Sequence, residues 1–431
     1  MRGPDPKDAD PKDADLDVDV AVVGAGPAGS AAALALLAAR PGARVALLDR
    51  AAFPRDKTCG DGVAPQVLDV LGRLGVHGLL DDWPGVDLLE LGYPGGAWLR
   101  GRMNRPNYVV PRQVLDARLV GAAVDRGATL LQRRVRELAR RNGHLGAAGV
   151  RARIVIGADG ASSAVRSWLR TPGGGHTAIA LRGYAAVSTG RERAQVIAFD
   201  PEGAWPAYAW SFPIGDGRAN VGYGEILPAP GGTDEPGPTR AHLVERLETL
   251  LPGAAEHGTA WRGHHLPLST TRWRQPDGPV LLAGDALGLV NPLTGEGIHA
   301  AVLSGAYAGL AAASALRQGT PSIAGGVYRA ALAARFGRHW RHMALLAAAT
   351  RRHAGSAATP TETGGGRGRR LVVAALVAGG RDQRVFDDLA ELGLAEGPLT
   401  ARALSGLARQ LVPELLPGSR APARGSGPWS P

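Results

Sequence analysis

The sequence predicts an α/β architecture: a Rossmann-like nucleotide-binding domain, interleaved with a mostly antiparallel sheet and followed by C-terminal helices. Three observations carry this. A strand, a glycine-rich turn, a helix and a second strand follow one another between residues 18 and 50. Two later apolar strands, at 153–159 and 279–285, each end in an acidic residue. Between them, over 175–275, lie alternating segments rich in Tyr, Trp, Val and Thr. Continuous apolar runs suit strands buried on both faces, and alternation suits strands with one wet face.

Residues 1–17 repeat DPKDAD and have little to bury, so a disordered tail is expected. VDVAVVG then reads as a strand, the Ala- and Leu-rich run from Pro27 to Arg40 as a helix, and ARVALLD as the partner strand, which makes one βαβ unit. The nucleotide-binding domain is expected at 18–174 and 276–320, with 60–110 contributing to the substrate side, and the substrate-binding sheet at 175–275. A helical region is expected at 321–416, carrying a linker at 355–370 where Gly, Thr, Pro and Arg replace helical periodicity, and a tail at 417–431.

With 431 residues and 45% hydrophobic content the chain can bury a full core. No stretch is read as approaching the roughly 20 apolar residues of a membrane span, and the acidic N-terminus lacks a signal-peptide pattern. A cytoplasmic location is expected, with peripheral membrane contact left open. The single cysteine, Cys59, excludes an intramolecular disulfide and fits a reducing compartment. The net charge is +10 although residues 1–20 are acidic, so the body is basic. Its arginines are scattered and no nucleic-acid-binding signature accompanies them, which argues against nucleic acid and for an anionic cofactor, substrate or membrane surface. No metal site is expected.

The turn Gly24-Ala-Gly26-Pro-Ala28-Gly29 fits GxGxxG. The first glycine permits the turn, the second lets a pyrophosphate approach, and the third lets helix pack on strand, while the helix N-terminus offers free N–H groups. Asp49 ends the next strand, where an acid accepts ribose hydroxyls. Gly157-Ala-Asp159-Gly160, continuing to Arg166, resembles the DG motif of the flavoprotein hydroxylase group, and Gly284-Asp285 resembles the GD motif whose Asp binds the flavin ribityl chain. Arg112, in RxxLDxxL, resembles the arginine that opens a helix beside FAD in that group; by itself it reads equally well as a surface residue. This resemblance implies FAD rather than NAD. Past Asp285, the loop from Asn291 to Gly297, with Pro292 and Gly295, runs into a helix at Ile298, so its N–H groups and positive end can face one ligand edge. Such an end stabilises the negative charge a reduced flavin carries near N1 and the C2 carbonyl.

Two further segments narrow the resemblance. Cys59-Gly60-Asp-Gly62 is similar to the Cys-Gly-acid-Gly stretch of the geranylgeranyl reductase family, and Tyr208-Ala-Trp210-Ser-Phe212-Pro213 followed by Gly222-Tyr-Gly224 matches that family's YxWxFP…GxG signature. Tyr208, Trp210 and Phe212 alternate on one strand and share a face, an aromatic wall; Gly222 and Gly224 on the return strand are expected to leave room over it. Membership implies that Cys59, Gly60 and Gly62 contact the flavin. Lys57 is the only lysine after Lys12; an ammonium there could lower the thiol's pKa and poise Cys59 for acid–base work, while a buried Cys59 that only lines the flavin is equally well supported.

The implied reaction is hydride transfer from reduced flavin to a carbon–carbon double bond of an isoprenoid-like apolar substrate, with a proton delivered to the second carbon. No second dinucleotide fingerprint is present, so NAD(P)H would dock transiently or a ferredoxin-like protein would supply electrons. Trp340, Met343, Leu345, Leu346, Phe386, Leu389 and Leu392 suit the roof of a hydrophobic tunnel and equally suit ordinary helix packing. The fold and flavin motifs are shared with FAD monooxygenases (hydroxylase or epoxidase), which stand as the alternative. Flavin halogenases, which need an active-site lysine, and a non-catalytic flavin-binding protein rank below it.

Overall fold

A computed structural model describes residues 16–92, 94–96, 98–171, 177–203, 206–227, 237–269, 274–351, 366–395, 397 and 399–415. The expected N-terminal tail apart from residues 16 and 17, the whole expected C-terminal tail and most of the expected linker lie outside these residues.

The first sheet is parallel at its centre. Strands β1 (Leu16–Val23), β2 (Val45–Asp49), β6 (Thr129–Gln132), β9 (Val150–Gly157) and β15 (Val280–Leu282) run the same way, and β7 (Ala139–Arg141) with β8 (His144–Ala147) adds a hairpin antiparallel to the start of β9. The order is β6-β2-β1-β9-β8-β7, with β15 on the far end of β9. Val20, Val22, Leu47, Ile154, Ile156 and Leu281 are fully buried, as both-face coverage by helices requires. Strand ends β1, β9 and β15 are brought side by side by the register Val23–Gly157–Leu282, so the GxGxxG, DG and GD turns open onto one edge.

The second sheet has the order β14-β10-β13-β12-β11-β4-β5-β3: β3 (Gly62–Val63), β4 (Gly85–Gly92), β5 (Trp98–Val109), β10 (Thr177–Ala186), β11 (Ala194–Phe199), β12 (Tyr208–Pro213), β13 (Arg218–Ile226) and β14 (Thr259–Pro267). Every neighbouring pair is antiparallel except β11 with β4. Gly215 and Gly217, both at positive φ, turn β12 into β13.

Helices α1 (Pro27–Ala39), α3 (Arg112–Asp125), α4 (Ala164–Trp168) and α7 (Ala324–Arg351) pack with the first sheet, α6 (Ile298–Arg317) lies against α1, α2 (Pro65–Arg73) lies against α6 and β5, and α8 (Gly366–Arg381), α9 (Gln383–Leu394) and α10 (Ala401–Leu415) follow. Three expectations are corrected. Helix α5 (Arg240–Leu250) sits inside the span read as sheet; Leu243, Leu247 and Leu250 form the one apolar stripe of an otherwise polar segment and are buried under the second sheet. Helix α8 begins at Gly366, inside the span read as linker. And α6 is long and apolar enough to cross a membrane by length and composition, contrary to the reading that no stretch approaches it. Its place explains its composition: it is a core helix, buried along most of its length against α1.

Candidate active site and cofactor cradle

One cavity of about 1070 Å³ runs from the GxGxxG turn, past β12, to the C-terminal helices, slightly above the roughly 300–1,000 Å³ typical of small-molecule sites. At one end the chain makes a cradle for a pyrophosphate. Gly24, at φ 95°, would place a Cβ 2.3 Å from the Ala158 carbonyl oxygen, so only glycine fits the crossing of β1 and β9. The N-terminus of α1 carries no side-chain cap, which leaves its N–H groups for an anion. Gly26 keeps its surface clear: a Cβ there would lie 3.3 Å from the Arg55 guanidinium and 3.7 Å from that of Arg112. These two arginines are braced by one buried acid, Asp116, which Arg112 holds through Nε and Nη2 at 2.6 and 2.8 Å and Arg55 at 3.0 Å. Arg112 is 3% exposed, which disposes of the surface reading. Arg55 escaped the sequence reading; its partners lie six and sixty-one positions away and no motif marks it.

Asp49 lines the cavity and accepts the Ala25 N–H at 2.9 Å, fixing its carboxylate at the strand end expected for a ribose-binding acid. Gly29 lies behind the turn, not in the cavity wall, and Gly284 packs against Ala28 and Ala301. Asp159 caps the start of α4 through the Ala164 N–H at 2.7 Å and accepts from Ser163, while Gly160 beside it lines the cavity at positive φ. Arg166 ties this turn to the GD turn by donating to the Ala286 carbonyl at 3.0 Å. These residues fit FAD: a glycine-cleared turn, an uncapped helix end, two braced guanidiniums and two acids, Asp49 and Asp285, line one continuous space.

At the centre of the cavity, Lys57 Nζ lies 3.0 Å from Asp285 Oδ2. Burial raises the Asp285 carboxyl, but Lys57 overrides it, and the net result is a carboxyl held below its usual range. Lys57 is therefore engaged by Asp285. Of the two readings of Cys59, the thiol that only lines the site is favoured over the activated one: burial pushes the thiol up, and Arg112 and Lys57 only partly oppose this. A neutral thiol lines the cavity. Cys59→Ala is expected to keep its flavin and turn over within tenfold of wild type; a loss above a hundredfold in anaerobic single turnover would restore the thiol to a chemical role.

Beneath Cys59 lies a network that the sequence did not disclose. Asp61 is fully buried at φ 61° and accepts from Tyr184 Oη at 2.5 Å and Asn220 Nδ2 at 2.7 Å; Asn220 also donates to the Cys59 carbonyl at 2.8 Å and accepts from Trp210 Nε1 at 2.8 Å. The aromatic wall and the cysteine turn are thus joined through one amide. Arg182, also fully buried, pairs with Asp56 and stacks 4.7 Å from the Tyr184 ring. Burial raises the Asp61 carboxyl to about 6, its two hydrogen bonds opposing. A raised acid takes up a proton on folding, so its contribution to stability is full below about pH 4 and is lost as pH rises through 6. Asp61→Asn, which tolerates this backbone, should therefore gain stability relative to wild type by on the order of 3 kcal/mol between pH 4 and pH 8. Denaturant unfolding at both pH values checks it, and a difference that does not change with pH contradicts it.

Tyr208, Trp210 and Phe212 all line the cavity, with successive centroids 6.0 and 6.5 Å apart. Pro213 does not reach it. Gly224 lines it, but the room at Gly222 is taken by Trp210, whose indole would meet a Cβ at 2.3 Å; this glycine seats the wall and leaves no space above it. Gly60 lies against the Phe212 and Trp210 edges, and Gly62 lines the cavity beside Gln195. In the loop after Asp285, Pro292, Gly295, Gly297 and Ile298 line the cavity, and Tyr208 Oη donates to the Thr294 carbonyl. The N–H groups opening α6 are not free as expected: His299 N–H donates to Glu296 Oε1 at 2.6 Å. The far end is apolar, with Leu89, Leu91, Leu99 and Ile197 facing Leu376 and Phe386. Of the expected roof, Met343, Phe386, Leu389 and Leu392 line the cavity, whereas Trp340, Leu345 and Leu346 do not. Among the described residues no cluster of His, Cys, Asp and Glu is arranged to hold a metal.

Comparison with known proteins agrees with this cradle. The FAD binding domain family model matches residues 17–82 and 115–324. The chain is 34% identical to a menaquinone reductase of Mycolicibacterium smegmatis over 67% of its own length and 74% of the relative's. It is 34% identical to digeranylgeranylglycerophospholipid reductase 1 of Methanopyrus kandleri over 69% of its length and 80% of the relative's. The structure of a geranylgeranyl bacteriochlorophyll reductase-like protein from Thermoplasma acidophilum superposes with a TM-score of 0.69 at 20% identity, covering 93% of this chain and 98% of that one, which shows a shared fold. With its FAD cradle and these relatives, the chain belongs to the geranylgeranyl reductase family of FAD-dependent oxidoreductases.

Proposed function

We propose that this oxidoreductase saturates carbon–carbon double bonds in the isoprenoid chain of a lipid or quinone. The observation that carries the reading is the continuity of the cavity: the cofactor cradle, the aromatic wall and the apolar end are one space, so a long apolar chain can lie against the flavin site without crossing water. The names of the relatives support it, since menaquinone and digeranylgeranylglycerophospholipid both carry prenyl chains.

Bound reduced FAD supplies a hydride equivalent. The turn at 24–29 with Arg55 and Arg112 would hold its pyrophosphate, Asp49 its ribose, and Asp285 its ribityl chain. Tyr208, Trp210 and Phe212 orient the substrate chain, and the apolar residues of β4, β5, β11, α8 and α9 exclude water around it. Electrons would come from NAD(P)H docking transiently or from a ferredoxin-like protein. The enzyme would work from the cytoplasm, meeting lipid-borne substrate by peripheral contact with the membrane.

Anaerobic single turnover tests the reading. The flavin is reduced with dithionite, geranylgeranyl diphosphate or a prenylated lipid without a quinone ring is added, and absorbance near 450 nm is followed with mass spectrometry of the product. Reoxidation with a gain of two mass units per turnover is expected. A flavin that stays reduced until oxygen enters, followed by an oxygenated product, would replace this reading with a monooxygenase.

A further inference from the structure

We propose that Glu296 is the proton donor for the reaction, delivering its carboxyl proton to the substrate carbon that does not receive the hydride. The inference rests on the reductase reading above. Glu296 lines the cavity where its two halves meet: Asp285 and Gly297 lie on the cradle side, and the Tyr208–Thr294 hydrogen bond pins the loop to the rim of the aromatic wall. The atoms balance simply. The π bond of the substrate opens, one carbon gains a hydride and is reduced by two electrons as FAD is oxidised, the other carbon gains H⁺ as the Glu296 O–H bond breaks, and a carboxylate remains.

Glu296 sits where both halves of that step are favoured. Burial, reinforced by the Asp285 charge, pushes its carboxyl up to about 8 against the N–H groups of Ile298, His299 and Ala300, so the proton is in place at neutral pH. Once it leaves, the same N–H groups face the new carboxylate, His299 N–H at 2.6 Å, and the α6 N-terminus stabilises it. An acid whose pKa lies near the working pH is the effective one.

The other groups on this stretch of wall serve less well. Asp285 is held ionised by Lys57. Burial lowers His264, which is then neutral and has no acidic proton to give. Burial raises Tyr208, whose hydroxyl is already donated to a carbonyl. Cys59 is a neutral thiol pushed further up.

The test compares wild type with Glu296→Gln and Glu296→Asp, all loaded with FAD. Titration of the oxidised flavin's visible spectrum from pH 6 to pH 10 should show a transition near pH 8 in wild type, absent in Glu296→Gln. In anaerobic single turnover with geranylgeranyl diphosphate, Glu296→Gln should reoxidise on the order of 100-fold more slowly at pH 7. It should also lose the decline that wild type shows above pH 8, and Glu296→Asp should recover part of the rate with a shifted decline. Should Glu296→Gln fail to retain flavin, the rate and pH profile of Glu296→Asp decide: a wild-type profile overturns the proposal. Wild-type rates and an intact alkaline limb in Glu296→Gln overturn it while leaving the reductase reading standing. A wild-type enzyme that shows the spectral transition yet reduces no prenyl substrate overturns the reductase reading, and the donor role with it.

Discussion

Asp285→Ala is expected to purify with most of its flavin lost. Asp285 carries two duties at once: it faces the cradle from the GD turn, and it neutralises Lys57 at 3.0 Å. On the proposed assignment, removing it would delete a charge-assisted hydrogen bond to the ribityl chain, about 1.5–3 kcal/mol, and would leave the Lys57 ammonium without its carboxylate in a cavity that already contains Arg112 and Arg55. At about 1.4 kcal/mol per tenfold, the first effect alone weakens FAD retention by roughly ten- to a hundredfold. The flavin-to-protein absorbance ratio after gel filtration measures this. Lys57→Met separates the two duties. If it sheds flavin as severely as Asp285→Ala, the ion pair matters more than the ribityl contact; if it keeps its flavin, Asp285 acts directly. Flavin content unchanged in Asp285→Ala contradicts the assignment altogether.

The contrast between Asp285 and Glu296 marks what the sequence discloses about such a site. Asp285 was legible because it ends an apolar strand beside a glycine, a pattern that backbone geometry forces. Glu296 stands eleven residues later in the same loop and left no comparable sign, because its chemistry comes from burial and from the carboxylate beside it. The same division holds elsewhere. The aromatic wall was legible from period-two alternation in β12, but the loss of free room at Gly222 was not, since it depends on where the Trp210 indole turns. In the Arg55–Asp116–Arg112 brace, Arg112 and Asp116 stand four residues apart on one helix, but Arg55 is remote in sequence from both and its part could only be read once they met. Helix α5 carried a readable stripe, Leu243, Leu247 and Leu250, overshadowed by the strands around it.

Gly29→Ala is expected to be the most damaging single methyl in the molecule. Its Cβ would fall 1.8 Å from the Gly24 carbonyl oxygen, a backbone atom that cannot rotate away, so β1 and α1 would have to separate. That separation does not stay local. Helix α1 is buried from Pro27 to Leu37, and α6 crosses it so closely that a Cβ on Gly305 or Gly309 would lie 2.0 or 2.2 Å from the Ala28 or Ala32 carbonyl oxygens. Alanines and glycines on both helices make this crossing possible, and they leave no flexible side chain to absorb a shift. Overpacking of a close-packed core costs about 1–3 kcal/mol where side chains can yield, and here they cannot, so the cost should exceed that range. Moving α6 also moves the loop from Asn291 to Gly297, which carries Glu296 and meets Tyr208 through Thr294. The variant should therefore express mainly as insoluble protein, and any soluble fraction should carry no flavin. Gly160→Ala is the control: this glycine has positive φ, but the methyl that alanine adds would meet no atom within 4 Å, so the variant should lose only about 1–2 kcal/mol from backbone strain. If Gly29→Ala were soluble, holding FAD and melting within a few degrees of wild type, the close crossing of strand, turn and helix would not be what shapes the cradle.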